Sequence, residues 1–302
     1  MAIRIRRKKF PVNQAQLEFS FDRPVEADRN HHLGGRSFYF FDFDDNVAYL
    51  TTPIVIFHKK TGEERLISSG EWAHHNRDIG KSGPFIDYSI DYNDATGSFR
   101  YFRDRDVGLL GRIVGKRQTF IEDIQKALSQ ADYSWKAPSW NCFFHATYNN
   151  RPVSVITARG HNPETIISGI DVLVKEGHLP HLPNFLSIYP VTNPEVRKNL
   201  GDKELKLSVA DLKKAAIRES VETAISRYGL NPHHRFGMSD DDPKNVELIT
   251  EEMRALKERY PDMSFFVIQT FKDHYVKTEI VNEFAQKKAP HLPNEFQLNL
   301  FE

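Results

Sequence analysis

The sequence predicts an α/β fold: a three-layer α/β/α core around a mostly parallel central sheet, with a cap inserted after the first core strand. Three observations lead there. Short apolar runs without alternation recur along the chain, the pattern of strands buried on both faces. Segments with apolar residues at helical spacing fall between several of these runs, as strand–helix crossovers require. The runs end in acids or hydroxyls, at the edge where open α/β sheets place their ligands.

The elements follow in order. Residues 1–33 carry mixed charge and scattered apolar positions, so they are expected to form an N-terminal arm. Phe38-Tyr39-Phe40-Phe41 is the first buried strand and ends at Asp42, Asp44 and Asp45. Residues 51–116 break the rhythm, with many Tyr, Phe, Gly, Asp and Arg and with hairpin-like pieces at Lys60-Thr61-Gly62 and Asn93-Asp94-Ala95-Thr96-Gly97. This stretch is the expected cap. The core is expected over 34–50 and 117–285, beginning again with a helix near 118–130, and a tail over 286–302. Val153-Ser154-Val155-Ile156 ends at Thr157, and Phe185-Leu186-Ser187-Ile188-Tyr189 ends at Pro190. Arg235-Phe236-Gly237-Met238 ends at Ser239 and three aspartates, and Phe265-Phe266-Val267-Ile268 ends near Gln269. Helices are expected over 164–176, 209–228 and 246–260. Pro163 and Pro243 stand where the first and last of them start, a position that favours proline.

Composition bounds the function. Of 302 residues, 39% are hydrophobic and 27% charged, which is ordinary for a globular protein with a buried core. Lys plus Arg and Asp plus Glu are equal at 41 each, so no global field draws the chain to nucleic acid or membrane. A single cysteine, Cys142, excludes an intramolecular disulfide and a thiolate zinc cluster. Basic residues near the start are not followed by an apolar signal region, and no run reaches membrane-spanning length, so a cytoplasmic location is expected.

Four features carry chemistry. Asp42 and Asp44 are two residues apart, so an extended chain points both to one side. Two carboxylates there repel unless a cation or a proton is shared, and a hard divalent ion such as Mg2+ suits oxygen ligands. One carboxylate can then attack phosphorus while the other moves protons. Thr157 and Ala158, at a strand end just before a helix start, suit a phosphate oxygen. Lys213 or Lys214, early in a helix, can neutralise an anionic nucleophile and its substrate. Ser239-Asp240-Asp241-Asp242 is a tight acidic cluster for which a bound cation is the simplest compensation.

The order and context of these four features resemble the haloacid dehalogenase-like superfamily, over residue 36 to about 270. The resemblance implies a Rossmann-like core and a Mg2+-dependent phosphohydrolase. It makes Asp42 the nucleophile that becomes a phospho-aspartate. Asp44 would be the acid and base, its backbone carbonyl on Mg2+, and Thr157 the phosphate-binding hydroxyl. Lys213 would be the motif lysine, chosen over Lys214 because Ile217 follows it at the spacing often seen there. Asp240 and Asp241 would be the paired metal acids. The chain departs from the family pattern at Asn46, where Thr or Val is usual, and in the extra acid Asp45. In that family an insertion after the first motif forms a cap that chooses substrates. Here it holds many cations, among them His58, Lys59, Arg100, Arg103 and Arg105.

Two other functional readings remain open from sequence. The terminal Gln297-Leu298-Asn299-Leu300-Phe301 resembles the short peptide that docks proteins on the bacterial replication sliding clamp, with a looser version at 16–21. That partner would point to a phosphatase of nucleic-acid ends. The alternative is a non-catalytic binding module that keeps the fold without turnover. The pairs His31-His32, His74-His75 and His233-His234 are expected to be surface histidines, since neighbours in a regular element point apart, and Cys142 a buried inert thiol.

Overall fold

The computed structural model describes residues 3–11, 24–106, 108, 117–130, 134–272 and 274–282. The terminal peptide at 297–301 and its looser counterpart at 16–21 lie outside them. In chain order the strands are β1 Ile3–Pro11, β2 Ser37–Phe41, β3 Ile54–His58, β4 Glu64–Ile67 and β5 Tyr88–Ser89. They continue with β6 Pro152–Thr157, β7 Asn184–Pro190, β8 Arg235–Asp240, β9 Ser264–Thr270 and β10 His274–Asn282. The helices are α1 Ser69–His75, α2 Thr119–Leu128, α3 Trp140–Tyr148 and α4 Pro163–Lys175. After them come α5 Pro194–Asn199, α6 Val209–Tyr228 and α7 Pro243–Arg259. The chain divides into two compact units: Met1–Tyr49, Lys136–Ala158 and Val174–Glu302 form the first, and Leu50–Trp135 and Arg159–Leu173 the second.

The first unit is built on a seven-stranded sheet of order β1-β10-β9-β8-β2-β6-β7. Strands β7, β6, β2, β8 and β9 run parallel. β10 is antiparallel to β9, and β1 to β10. Among the parallel strands β2 comes first in the chain, with β6 and β7 on one side and β8 and β9 on the other. The order of connection therefore reverses at β2, and a crevice opens at such a point beyond the carboxyl ends of the strands.

All five residues of β2 are buried, which explains the missing alternation. Phe38 and Phe40 join a core with Leu212, Ala216 and Ile217 of α6 and Ile249, Met253 and Leu256 of α7. Tyr39 and Phe41 alternate to the other face, where Phe41 meets Phe143 of α3 edge-on at 5.4 Å between ring centres. Helices thus cover both faces of the sheet, in three layers.

The sheet gains strands that hydropathy does not announce. The expected arm over 1–33 contains β1, paired along its whole length with β10 from Ile3↔Asn282 to Pro11↔His274. An edge strand needs backbone partners more than apolar side chains, so its charge-rich sequence conceals it. Helix α3 was also unforeseen, and it carries the buried Cys142.

The second unit has a three-stranded antiparallel sheet, β4-β3-β5. The hairpin expected at Lys60-Thr61-Gly62 joins β3 to β4, with Gly62 at φ 71°. The stretch Asn93 to Gly97 is instead a closed turn: Asn93 Oδ1 accepts from the N–H of Ala95 and of Thr96, and Gly97 N–H donates to Asn93 O. A small core of Ile54, Ile56, Ile67, Ile79 and Phe85 lies within this unit.

The unit is larger than the expected cap of 51–116, because it takes in α2 and the segment 159–173. Two contacts explain the extension. The Phe120 ring of α2 lies so close to Gly169 that a Cβ there would meet it at 2.4 Å. Asp104 Oδ2 accepts from Asn162 N–H at 2.9 Å and from Thr165 Oγ1 at 3.1 Å, at the start of α4. Among the described residues no helix is long and apolar enough to cross a membrane.

Candidate functional site

The site forms at the carboxyl ends of β2 and β8, neighbours in the sheet. Parallel pairing sets Phe41 opposite Ser239, and Asp42 N–H extends the ladder by donating to Ser239 O at 3.0 Å. The next residues on each strand are therefore Asp42 and Asp240, side by side. Beyond Asp44 the chain turns back sharply. Asp45 takes a left-handed backbone, φ 57°, and its N–H donates to Ala48 O at 2.9 Å. Aspartate tolerates that conformation better than most side chains.

Asp42, Asp240 and Asp241 each offer a carboxylate oxygen, and these atoms lie within 4.8 Å of one another. Lys213 Nζ joins two of them, at 2.7 Å from Asp240 Oδ2 and 3.1 Å from Asp42 Oδ2. Helix α6 aims the lysine inward. Ser208 caps the helix by accepting from Asp211 N–H, and Leu212, Ala216 and Ile217 seat the same face on the sheet. Lys213 is only 1% exposed and Asp240 0%. Asp240 Oδ1 is held as well, by Asp242 N–H at 3.0 Å and Asn245 Nδ2 at 3.2 Å. Asp42 Oδ1 differs: it is buried and no hydrogen bond reaches it.

Burial pushes the Asp42 carboxyl well above the ordinary range. Lys213 pulls it back, and Asp240, Asp241 and Asp44 add to the rise. Asp241 is pushed up to about 7, first by burial and then by Asp240 and Asp45. Burial disfavours the charge on Lys213, but Asp240 and Asp42 together outweigh it and hold the ammonium protonated. One lysine thus faces a surplus of carboxylates. Hard oxygen donors converging around a buried acceptor without a hydrogen bond suit a divalent cation of the Mg2+ kind.

The other expected residues divide. Thr157 ends β6, next to β2, and its Oγ1 donates to Asp44 Oδ2 at 3.4 Å. Ala158 follows, exposed, its carbonyl accepting from Thr192 Oγ1 at 2.8 Å. Between the two candidate lysines the geometry chooses Lys213. Lys214, expected at the phosphate, instead pairs with Glu251 at 3.1 Å on the surface. One helical step separates the two, and only one can face the sheet. The carboxylate of Asp44 is not part of the acidic triplet, which leaves its backbone as the expected metal contact. His234 is buried rather than on the surface: Arg36 N–H donates to its Nδ1 at 3.1 Å, and its Nε2 lies 2.9 Å from Gly229 O.

Comparison with protein-family models, with curated proteins and with solved structures finds no match. The functional reading therefore stands on the site itself.

Asn46 is the residue whose importance the sequence did not reveal. It appears there only as a departure from a pattern, yet it is fully buried and hydrogen-bonded at both ends of its amide. An asparagine two residues after an acid pair is too common to signal such a role by itself.

Proposed function

We propose that this chain is a Mg2+-dependent phosphohydrolase of the haloacid dehalogenase-like type, which cleaves a phosphate monoester through a phospho-aspartate on Asp42. The observation that carries the reading is the convergence of Asp42, Asp240 and Asp241 within 4.8 Å, with Lys213 bridging two of them. Asp42, Asp240 and Asp241, with the Asp44 backbone, are the groups to hold Mg2+. When bound, the ion would offset phosphate charge and polarise a phosphoryl oxygen.

The residues of the chain divide the remaining work. A carboxylate oxygen of Asp42 attacks phosphorus, the bond to the leaving oxygen breaks, and Asp44 supplies the proton that oxygen needs. Asp44, now a carboxylate, takes a proton from water as the water attacks phosphorus. The Asp42–phosphorus link breaks, and inorganic phosphate and the free aspartate are restored. Lys213 lowers the cost of ionising Asp42 in a buried setting and stabilises the charge gathering on the transferring group. Thr157, whose hydroxyl lies against Asp44, would donate it to a phosphate oxygen.

The test is hydrolysis of p-nitrophenyl phosphate and a panel of sugar phosphates, nucleotides and end-phosphorylated oligonucleotides, with Mg2+. Wild type is expected to turn over at least one of them, and Asp42→Asn to lose roughly 10,000-fold or more in kcat. Unchanged turnover in Asp42→Asn removes the mechanism. Mg2+ binding without turnover on any ester would instead favour the non-catalytic binding module.

A further inference from the structure

We infer that Asn46 is a positioning residue, which fixes the separation of Asp42 from Asp240 by tying the backbones of their two strands together. The inference rests on the phosphohydrolase reading for its consequence, and on hydrogen-bond geometry for its substance.

An asparagine side chain offers two donors and one oxygen with two lone pairs. At Asn46 all of this capacity is engaged. Its two Nδ2 hydrogens face three acceptors, the carbonyl of Asp42 at 3.0 Å, the carbonyl of Ser239 at 3.1 Å and Ser239 Oγ at 2.8 Å, so one of them is shared. Its Oδ1 accepts from Ser139 Oγ and from Thr270 Oγ1, each at 2.9 Å. Asp42 is the expected nucleophile, and Ser239 immediately precedes Asp240. The amide nitrogen therefore grips both strands one peptide from their functional carboxylates. The oxygen anchors that grip to the end of β9, through Thr270, and to the residue before α3, through Ser139. The Asn46 backbone adds a further tie, its carbonyl accepting from Ser139 N–H at 2.7 Å.

The need for such a clamp follows from charge. Carboxylates that converge with one lysine repel one another and push their strand ends apart, unless covalent geometry and hydrogen bonds hold them. The ladder between β2 and β8 ends at Asp42 N–H, just where that repulsion begins. Asn46 continues the cross-strand link past that point through its side chain. Thr or Val in its place could not do the same: Val has no polar atom and Thr a single hydroxyl, against five bonded partners here. No polar group of Asn46 contacts the triplet carboxylates in these hydrogen bonds. It acts through the backbones that carry them, as groups outside a metal's direct ligands set ligand geometry.

The experiment compares Mg2+ affinity by calorimetry, thermal stability, and kcat against KM for the full chain and four variants. Asn46→Ala is expected to weaken Mg2+ binding roughly 10- to 100-fold and to lower kcat while KM at saturating Mg2+ stays within about twofold. Ser239→Ala removes one hydroxyl from the donor side and is expected to weaken Mg2+ about threefold. Thr270→Val loosens only the anchor, and should lose thermal stability with a smaller effect on Mg2+ than Asn46→Ala. Met253→Ala, on the core face of α7, supplies a stability loss without any change in Mg2+ affinity. Should Asn46→Ala fail to fold, Ser239→Ala decides. Mg2+ affinity within about twofold of wild type in every folded variant at Asn46 and Ser239 overturns the inference. A wild type that binds no Mg2+ overturns the phosphohydrolase reading instead, so the two failures are distinguishable.

Discussion

Each of the two units buries a cation, and the surroundings of the two differ. In the first, Lys213 sits against the carboxylates of Asp42 and Asp240. In the second, Arg159, 0% exposed, lies between two rings, 5.0 Å from the centre of Phe102 and 4.7 Å from that of Phe120. Its Nη2 donates to Thr52 Oγ1 at 2.6 Å, and Thr52 in turn donates to Asp123. The first site carries more acid than its cation balances. Around the second lie two aromatic faces and the Thr52 hydroxyl, with Arg103 paired to Asp94 and Arg105 to Glu122. The difference teaches where to look for an external ion. A buried acid surplus calls for one, whereas a guanidinium laid on aromatic faces draws part of its stabilisation from them.

The largest effect is expected at Lys213. Lys213→Met leaves Asp42 and Asp240 buried without their cation, which should cost about 3–5 kcal/mol in the absence of metal, measured by urea unfolding. A loss below about 1 kcal/mol would mean the pair is already neutral, and the contrast between the units would fail. Next comes Arg159→Lys, which keeps the charge but loses the flat stack on Phe102 and Phe120. It should cost about 2 kcal/mol by the same measurement. No loss would mean the rings give the guanidinium nothing an ammonium lacks.

The response to pH sharpens the comparison further, because the two sites have opposite signs. Asp42 and Asp241 titrate higher folded than unfolded, Asp241 at about 7. The folded state then binds more protons, so metal-free stability from these acids is full below their unfolded range and is lost as pH rises, for Asp241 through about 7. Saturating Mg2+ should stabilise more at about pH 8 than at about pH 6, since the ion displaces those protons. His161 runs the other way. Burial, and then Arg159, Arg103 and Arg105, lower it to about 2. The unfolded state binds the extra proton, so stability present above the ordinary histidine range is lost as pH falls below it. His161→Gln should flatten the acid limb alone, followed by thermal melts with and without Mg2+. The smallest effect is expected at Lys214, whose surface pair with Glu251 should be worth less than about 1 kcal/mol, with turnover unaltered in Lys214→Ala. A large loss of kcat there would return Lys214 to the phosphate site.

Much of the core was legible from hydropathy. The five parallel strands stand where the apolar runs stand, and α6 covers the expected 209–228. The reason is energetic: a strand buried on both faces has no polar option, so its pattern is forced. What stayed hidden was held by contacts that composition does not encode. Strand β1 is defined by its backbone pairing with β10. Helix α2 belongs with the second unit through contacts far apart in sequence, among them the Phe120 ring against Gly169 and Thr52 against Asp123. Asn46 looked like a blemish in a motif until its hydrogen-bond partners came from four separate places in the chain.

By itself the sequence determined the layered α/β class, the strand-end placement of Asp42, Thr157 and Asp240, and the narrowing of the lysine to two adjacent candidates. These are local properties: period, run length and neighbours within a helical turn. The tertiary structure decided which lysine faces the acids, where the second unit ends, and that Asn46 joins two strands. Those outcomes depend on distances between residues far apart in the chain, and no local pattern fixes such a distance until the sheet has closed around it.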